Sequence, residues 1–203
     1  VVDLPNPVSF SDIRKIKNDL LSQMSKRNLH EGLLLKRNLL LFHLIYGAGL
    51  KVSDIEGLYP RNITKRKGIY RVLVSPEKRD PYTITLPETF NEFYEEYIEL
   101  LDQGKQLSKI EFPHLLFNGN PFKILSGGLS ARGIEIIFKE LSKSHDIKIS
   151  AKNLRQACIF KWITMDLPHS RVKEWMGVQP QYSLKPYLDL IENEPDKYSY
   201  MDE

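Results

Sequence analysis

Apolar residues recur at helical spacing over most of the chain. In "SFSDIRKIKNDLLSQM" they fall at Ile13, Ile16, Leu20, Leu21 and Met24, with Ser9 or Ser11 placed to cap the start of a helix. "LLLKRNLLLFHLIYGAGL" is apolar nearly throughout, interrupted chiefly by Lys36, Arg37 and Asn38, which predicts a buried central helix ended by Gly47 and Gly49. "VSDIEGL" follows as a short helix capped by Ser53, with Gly57 near its end.

Between residues 68 and 86 the period changes. "GIYRVLVSPEKRDPYTITL" alternates β-branched and aromatic residues on either side of a polar "SPEKRDP" break, the pattern of a β-hairpin or a small sheet. "PETFNEFYEEYIELL" returns to helix, "FPHLLFNGNPF" reads as a loop or short strand, and "LSARGIEIIFKELSKSH" is again amphipathic. "AKNLRQACIFKWITM" and "SRVKEWM" supply two further helices separated by the "DLPH" break at Pro168. The expected fold class is therefore mainly α with a small antiparallel β-sheet. No internal repeat, low-complexity tract or linker divides the chain.

Composition narrows the function classes. A chain of 203 residues, 41% apolar and 27% charged, is long enough to bury a full core. Its formal charge is only +3, yet the stretch from Asp189 to Glu203 holds six acids against Lys197 alone, leaving 28 basic and 20 acidic residues in the body, a charge of +8. Such an asymmetry suits a phosphate-bearing partner, and a solvated basic face is the alternative meaning. Cys158 is the only cysteine, so there is no disulfide framework or thiolate zinc cluster, in keeping with a reducing cytoplasmic or nuclear compartment. No apolar run approaches the roughly 18 to 20 residues of a membrane span and no signal peptide opens the chain, so no membrane partner is expected. A start at Val1 rather than Met suggests a fragment of something longer.

The order of residues at the joins carries a resemblance. "YGAGLKVSDIEGL", the basic hairpin, "LSARGIEIIFKEL", "KNLRQ", "WMGV" and Tyr187 together resemble the catalytic domain of the tyrosine recombinases, the phage integrase or Xer-like family. From Arg155 to Val178 is 23 positions and from Val178 to Tyr187 is 9, both similar to the family without a gap. The resemblance spans about residues 7 to 190. It implies a recombinase-like catalytic domain over 1–190, an acidic C-terminal tail over 191–203, and an N-terminal DNA-clamping domain missing from this chain.

What the resemblance implies chemically is attack of a tyrosine hydroxyl on a DNA phosphodiester, giving a 3′-phosphotyrosyl link and a free 5′-hydroxyl, with bond energy conserved and no cofactor or metal needed. The crowded negative charge of such a transition state calls for fixed cationic donors, ideally bidentate arginines. A general acid must protonate the leaving oxygen, and a phenol of free pKa about 10 must be relieved of its proton. Arg155 and the nucleophile Tyr187 are retained. Lys51 stands where the family has its first arginine, keeping charge but losing the planar fork. Lys78 takes the place of the hairpin lysine and is the candidate general acid, with Arg79 the alternative one residue on. Lys152 replaces a histidine and suits a phosphate contact better than a base. Val178 replaces a histidine or tryptophan and offers no hydrogen bond. Three of the six family positions are thus substituted.

On chemistry alone Tyr182 equals Tyr187, and the family spacing decides between them. Arg155 as a helix-capping or acid-paired residue, Lys51 and Lys152 as solvated lysines, and Cys158 as a core residue are the plain structural readings. The basic run Arg61, Lys65, Arg66, Lys67, Arg71, Lys78 and Arg79 suits a surface laid on a double-stranded DNA backbone, and Arg132 resembles the family's phosphate contact at a helix start. Two readings stand: a site-specific DNA recombinase or integrase, active in its host cell if virus- or plasmid-borne, and a catalytically degenerate DNA-binding or regulatory protein of the same fold. A helical module with no nucleic-acid role is the third. The segment after Tyr187 is expected either to contact a second copy or a partner recombinase through Leu190 and Ile191, or to be a disordered acidic end that repels DNA.

Overall fold

The computed structural model describes residues 4–24, 28–119 and 127–203. Its centre is α2, Leu29–Phe42, whose first turn is capped by Asn28 Oδ1 accepting from the Glu31 amide at 3.0 Å. The helix runs on through a π-helical turn, His43–Gly47, so that Leu39, Leu40, Leu41, Phe42, Leu44, Ile45 and Tyr46 are all buried. A segment apolar on every side must be surrounded. Helix α1, Phe10–Met24, and helix α4, Phe90–Ser108, pack on α2, while α6, Ala151–Thr164, packs on the π turn. Ser9, not Ser11, caps α1: its Oγ accepts from the Asp12 amide.

Around this centre lie α3, Val52–Glu56, packed on α5, Ala131–His145, and α7, His169–Met176, packed on α6. The last helix, α8, is Lys185–Asn193 and has Pro186 in its first turn, where a missing amide costs nothing. The expected cap of α3 is displaced: Lys51, not Ser53, occupies the N-cap, because the Asp54 carboxylate accepts the Lys51 amide at 3.0 Å. In "FPHLLFNGNPF", Phe117 forms a single antiparallel bridge with Gly128, and residues 120–122 lie outside the described residues.

The sheet has three antiparallel strands in the order β1 (Ile63–Arg66), β2 (Ile69–Val74) and β3 (Tyr82–Thr85). The first strand lies within the basic run and precedes the segment whose alternation announced a hairpin. Lys67 and Gly68 join it to β2 with φ of +52° and +78°, the doubly left-handed turn that matches strand twist. Tyr70, Val72 and Val74 point into the core while Ile69, Arg71 and Leu73 face out. Contact of β3 with α7 brings the end of α7 to the sheet.

Rather than trailing as a disordered end, the last residues fold back on the protein's own core, with Tyr198 and Tyr200 buried and residues 192–197 exposed. Tyr198 stacks on Phe160 at 4.8 Å, Tyr200 Oη donates to the Val8 carbonyl at 2.7 Å, and Tyr46 Oη donates to the Met201 carbonyl at 2.6 Å. The last two acids, Asp202 and Glu203, meet buried lysines. Lys161 is 1% exposed; its Nζ donates to the Tyr46 carbonyl at 2.8 Å and pairs with Asp202 at 3.0 Å. Burial lowers the Lys17 ammonium, and Glu203 partly restores it. An ammonium removed from water requires such partners. No described helix is long and apolar enough to cross a membrane.

One half-buried base makes stability depend on pH. His43 stacks on Phe93 at 4.5 Å and meets Phe90 edge-on, and burial, followed by the charges of Lys17 and Lys161, pushes it from 6.5 down to about 3. The folded state holds it neutral while the unfolded chain protonates it near 6.5. Its contribution is therefore complete above pH 6.5 and lost as pH falls towards 3, at up to about 1.4 kcal/mol per pH unit. Urea unfolding across that range is expected to show a shallower acid slope in His43→Phe than in the wild type.

Candidate functional site

Arg155 is the meeting point of three segments. It lies on α6, one turn beyond the Ser150 cap, whose Oγ accepts from the Asn153 amide while Asn153 Oδ1 accepts the Ser150 amide. Its Nε donates to the Gly49 carbonyl at 2.9 Å and one terminal nitrogen, Nη2, donates to the Met176 carbonyl at 2.7 Å. Two edges of the planar fork thus hold the turn after α2 and the turn after α7, and Nη1 has no partner among the described residues. Gly49 must be glycine: φ is +65°, and a Cβ there would lie 2.6 Å from the Trp162 ring.

Tyr187 is in the first turn of α8, 6% exposed, its ring 5.1 Å from Phe160. Burial raises its phenol first, Tyr182 adds to this, and the Arg155 charge pulls it down. Tyr182 is 41% exposed. Val178 is half-buried just past the left-handed Gly177.

The remaining cations divide. Lys51, Arg61, Lys78 and Arg79 line one cleft of about 700 Å³ together with Asp54 and Glu77. Lys152 is outside that lining, exposed three residues before Arg155 and so on the same side of α6. Lys78 is exposed, whereas Arg79 is half-buried over the Tyr82 ring, 5.5 Å from its centroid, with a buried Nη1 that has no partner among the described residues. Arg61 stacks on Tyr59 at 4.5 Å. Arg66, Lys67 and Arg71 are exposed on the first two strands and their turn.

Two positions in the basic set differ from a bare cationic surface. Lys65 pairs with Glu95 at 2.7 Å, and the hydrogen bond raises the lysine and lowers the acid. At the start of α5, beside exposed Arg132, the expected anion position is already filled: the Glu56 carboxylate accepts the Ala131 amide at 2.9 Å, and Ser130 Oγ takes the Gly133 amide. The helix supplies its own anion there. Among the described residues no group of three or more His, Cys, Asp or Glu is placed to hold a metal ion.

Sequence reasoning passed over Tyr82 and Asp54. Burial raises the Tyr82 phenol, as does Asp54, while Arg79 and then Arg155 lower it, so this hydroxyl sits among all three. Its three-residue distance from Arg79 was the only signal. At Gly177 a Cβ would stand 2.9 Å from Tyr82 Oη and 3.2 Å from Arg79 Nη1, and φ is +72°. Gly177→Ala is expected to cost about 1–2 kcal/mol from the left-handed backbone, and more from the contact with Tyr82. Thermal unfolding checks this, and Tyr82→Ala in the same chain should recover the contact part only.

No protein-family model matches the chain. No curated protein matches it either. Solved structures do. XerH site-specific recombinase bound to difH substrate, in a pre-cleavage complex, superposes with a TM-score of 0.68 at 16% identity, over 98% of this chain and 54% of that one. XerA recombinase gives 0.57 at 11% over 94% of this chain and 66% of that one. The integrase from mycobacterium phage Brujita gives 0.56 at 17% over 95% and 56%. The chain spans about half the length of the XerH chain it matches. Helices, three-stranded sheet and neighbours agree: this is the fold of a tyrosine recombinase catalytic domain.

Proposed function

We propose that the chain is the strand-transferring domain of a site-specific DNA recombinase or integrase, with duplex DNA as its partner and Tyr187 as the nucleophile. The observation that carries this is the placement of Arg155 between the turns after α2 and α7, with Tyr187 in the first turn of α8, in a fold shared with XerH and the phage integrase. In the proposed reaction Tyr187 Oη bonds to phosphorus as the bond to the 5′ oxygen breaks. The phenol proton passes to solvent, and Lys78 Nζ gives a proton to the leaving oxygen. Arg155, through its unpartnered nitrogen, faces the charge that builds on the nonbridging oxygens, where a fixed donor is typically worth about 10² to 10³ in rate. Lys51 and Lys152 add positive charge without a fork.

Burial holds the phenol protonated in this arrangement, so the reaction needs DNA to bring cations and water to it. The exposed Arg61, Arg66, Lys67 and Arg71 serve the backbone without reading sequence, and Lys65 joins them when its pair with Glu95 opens.

A library of nicked duplexes of randomised sequence, in which cleavage releases a short fragment and traps the enzyme, tests the proposal. A covalent protein–DNA adduct mapped by mass spectrometry to Tyr187 and lost in Tyr187→Phe is expected. Salt-sensitive binding with no adduct points instead to a DNA-binding protein that has lost catalysis, and absence of binding at low salt removes both readings.

A further inference from the structure

Resting on the reading just given, we propose that the Tyr82 hydroxyl, propped by Arg79, contacts the DNA phosphate in this site and supplies the hydrogen bond that Val178 cannot. Tyr82 opens β3, and α7 packs on that strand. The result is that the phenol reaches the Met176–Gly177 turn. Tyr82 Oη and Arg79 Nη1 lie 2.9 Å and 3.2 Å from the same point above Gly177, and Arg155 grips the carbonyl of the residue before. Glycine at 177 leaves the space the phenol enters.

Arg79 provides the independent observation. Its Nη1 is buried and unpartnered among the described residues, although a buried donor left without an acceptor is destabilising, the more so when charged. An anion at the turn satisfies it. Tyr82 Oη likewise has no hydrogen-bond partner among the described residues. Burial and Asp54 keep the phenol protonated, hence a donor, against the opposing pull of Arg79 and Arg155. A neutral donor beside two guanidinium groups is what a phosphate oxygen accepts from, and it adds no charge of its own. Lys78, exposed and a residue away, remains free for the proton transfer to the leaving oxygen.

The test has two readouts. In protein labelled with ring-¹³C tyrosine, titration with inorganic phosphate is followed by NMR. Tyr82 is expected to shift, and Tyr82→Phe and Arg79→Ala each to weaken phosphate about tenfold, the effect of one hydrogen bond, while Lys15→Ala, at an exposed lysine of α1 outside the cleft, changes little. With the nicked duplexes, Tyr82→Phe should slow adduct formation about 10² to 10³-fold at unchanged DNA affinity. The penalty of Arg79→Ala should shrink when a neutral methylphosphonate replaces the attacked phosphate. Phosphate affinity unaltered by Tyr82→Phe in a chain with wild-type circular dichroism overturns the proposal. Failure of the wild type to form any adduct refutes the recombinase reading, and the phosphate titration then still decides the role of Tyr82.

Discussion

One guanidinium holds the site together. Arg155 sends two donors in fixed, divergent directions to carbonyls that belong to different turns, one after α2 and one after α7. A lysine ammonium has donors enough but no planar fork to set the angle between them. Both turns contain a left-handed glycine, and at both a side chain is blocked by an aromatic neighbour, Trp162 at Gly49 and Tyr82 at Gly177. Arginine and glycines are thus parts of a single constraint. Remove the fork and the end of α7 is no longer tied to the end of α2, and whatever faces the turn, Arg79 and Tyr82 included, loses its frame.

The same arrangement explains how the charges divide. Asp202 pairs with buried Lys161, Glu203 opposes the desolvation of Lys17, and Tyr198 and Tyr200 fill the core beside them, so the end of the chain stabilises the fold that carries it. Glu95 takes up Lys65, and Glu56 fills the N-terminus of α5. Among the cations left exposed are those of the β1–β2 turn and of the outer face of β2, and Lys51, Arg61 and Lys78 share one cleft with half-buried Arg79.

Much of this was legible in the chain because it is local. Helical periodicity located α1, α2 and α4 to α7; alternation located β2 and β3; and proline and glycine marked the breaks. The spacing from Arg155 through Val178 to Tyr187 came from the resemblance, and the two outer residues lie on α6 and in the first turn of α8. The rest depends on pairings between residues far apart in sequence. Nothing in "FKWIT" says that Lys161 is buried against Asp202, and an acidic tail reads as solvated unless the lysines it meets are known. Strand β1 was hidden by its basic residues, since one buried position, Ile63, is too few for an alternating pattern. That Arg79 rather than Lys78 lies over the Tyr82 ring is a matter of loop geometry that residue type does not encode.

The most direct measurement is a structure of the chain bound to a nicked duplex. The account predicts a backbone phosphate within hydrogen-bond reach of the free nitrogen of Arg155 and of Arg79, with the Tyr187 oxygen facing phosphorus. DNA crossing another face, with that nitrogen in water and the phenol still packed on Phe160 away from any phosphate, would contradict it.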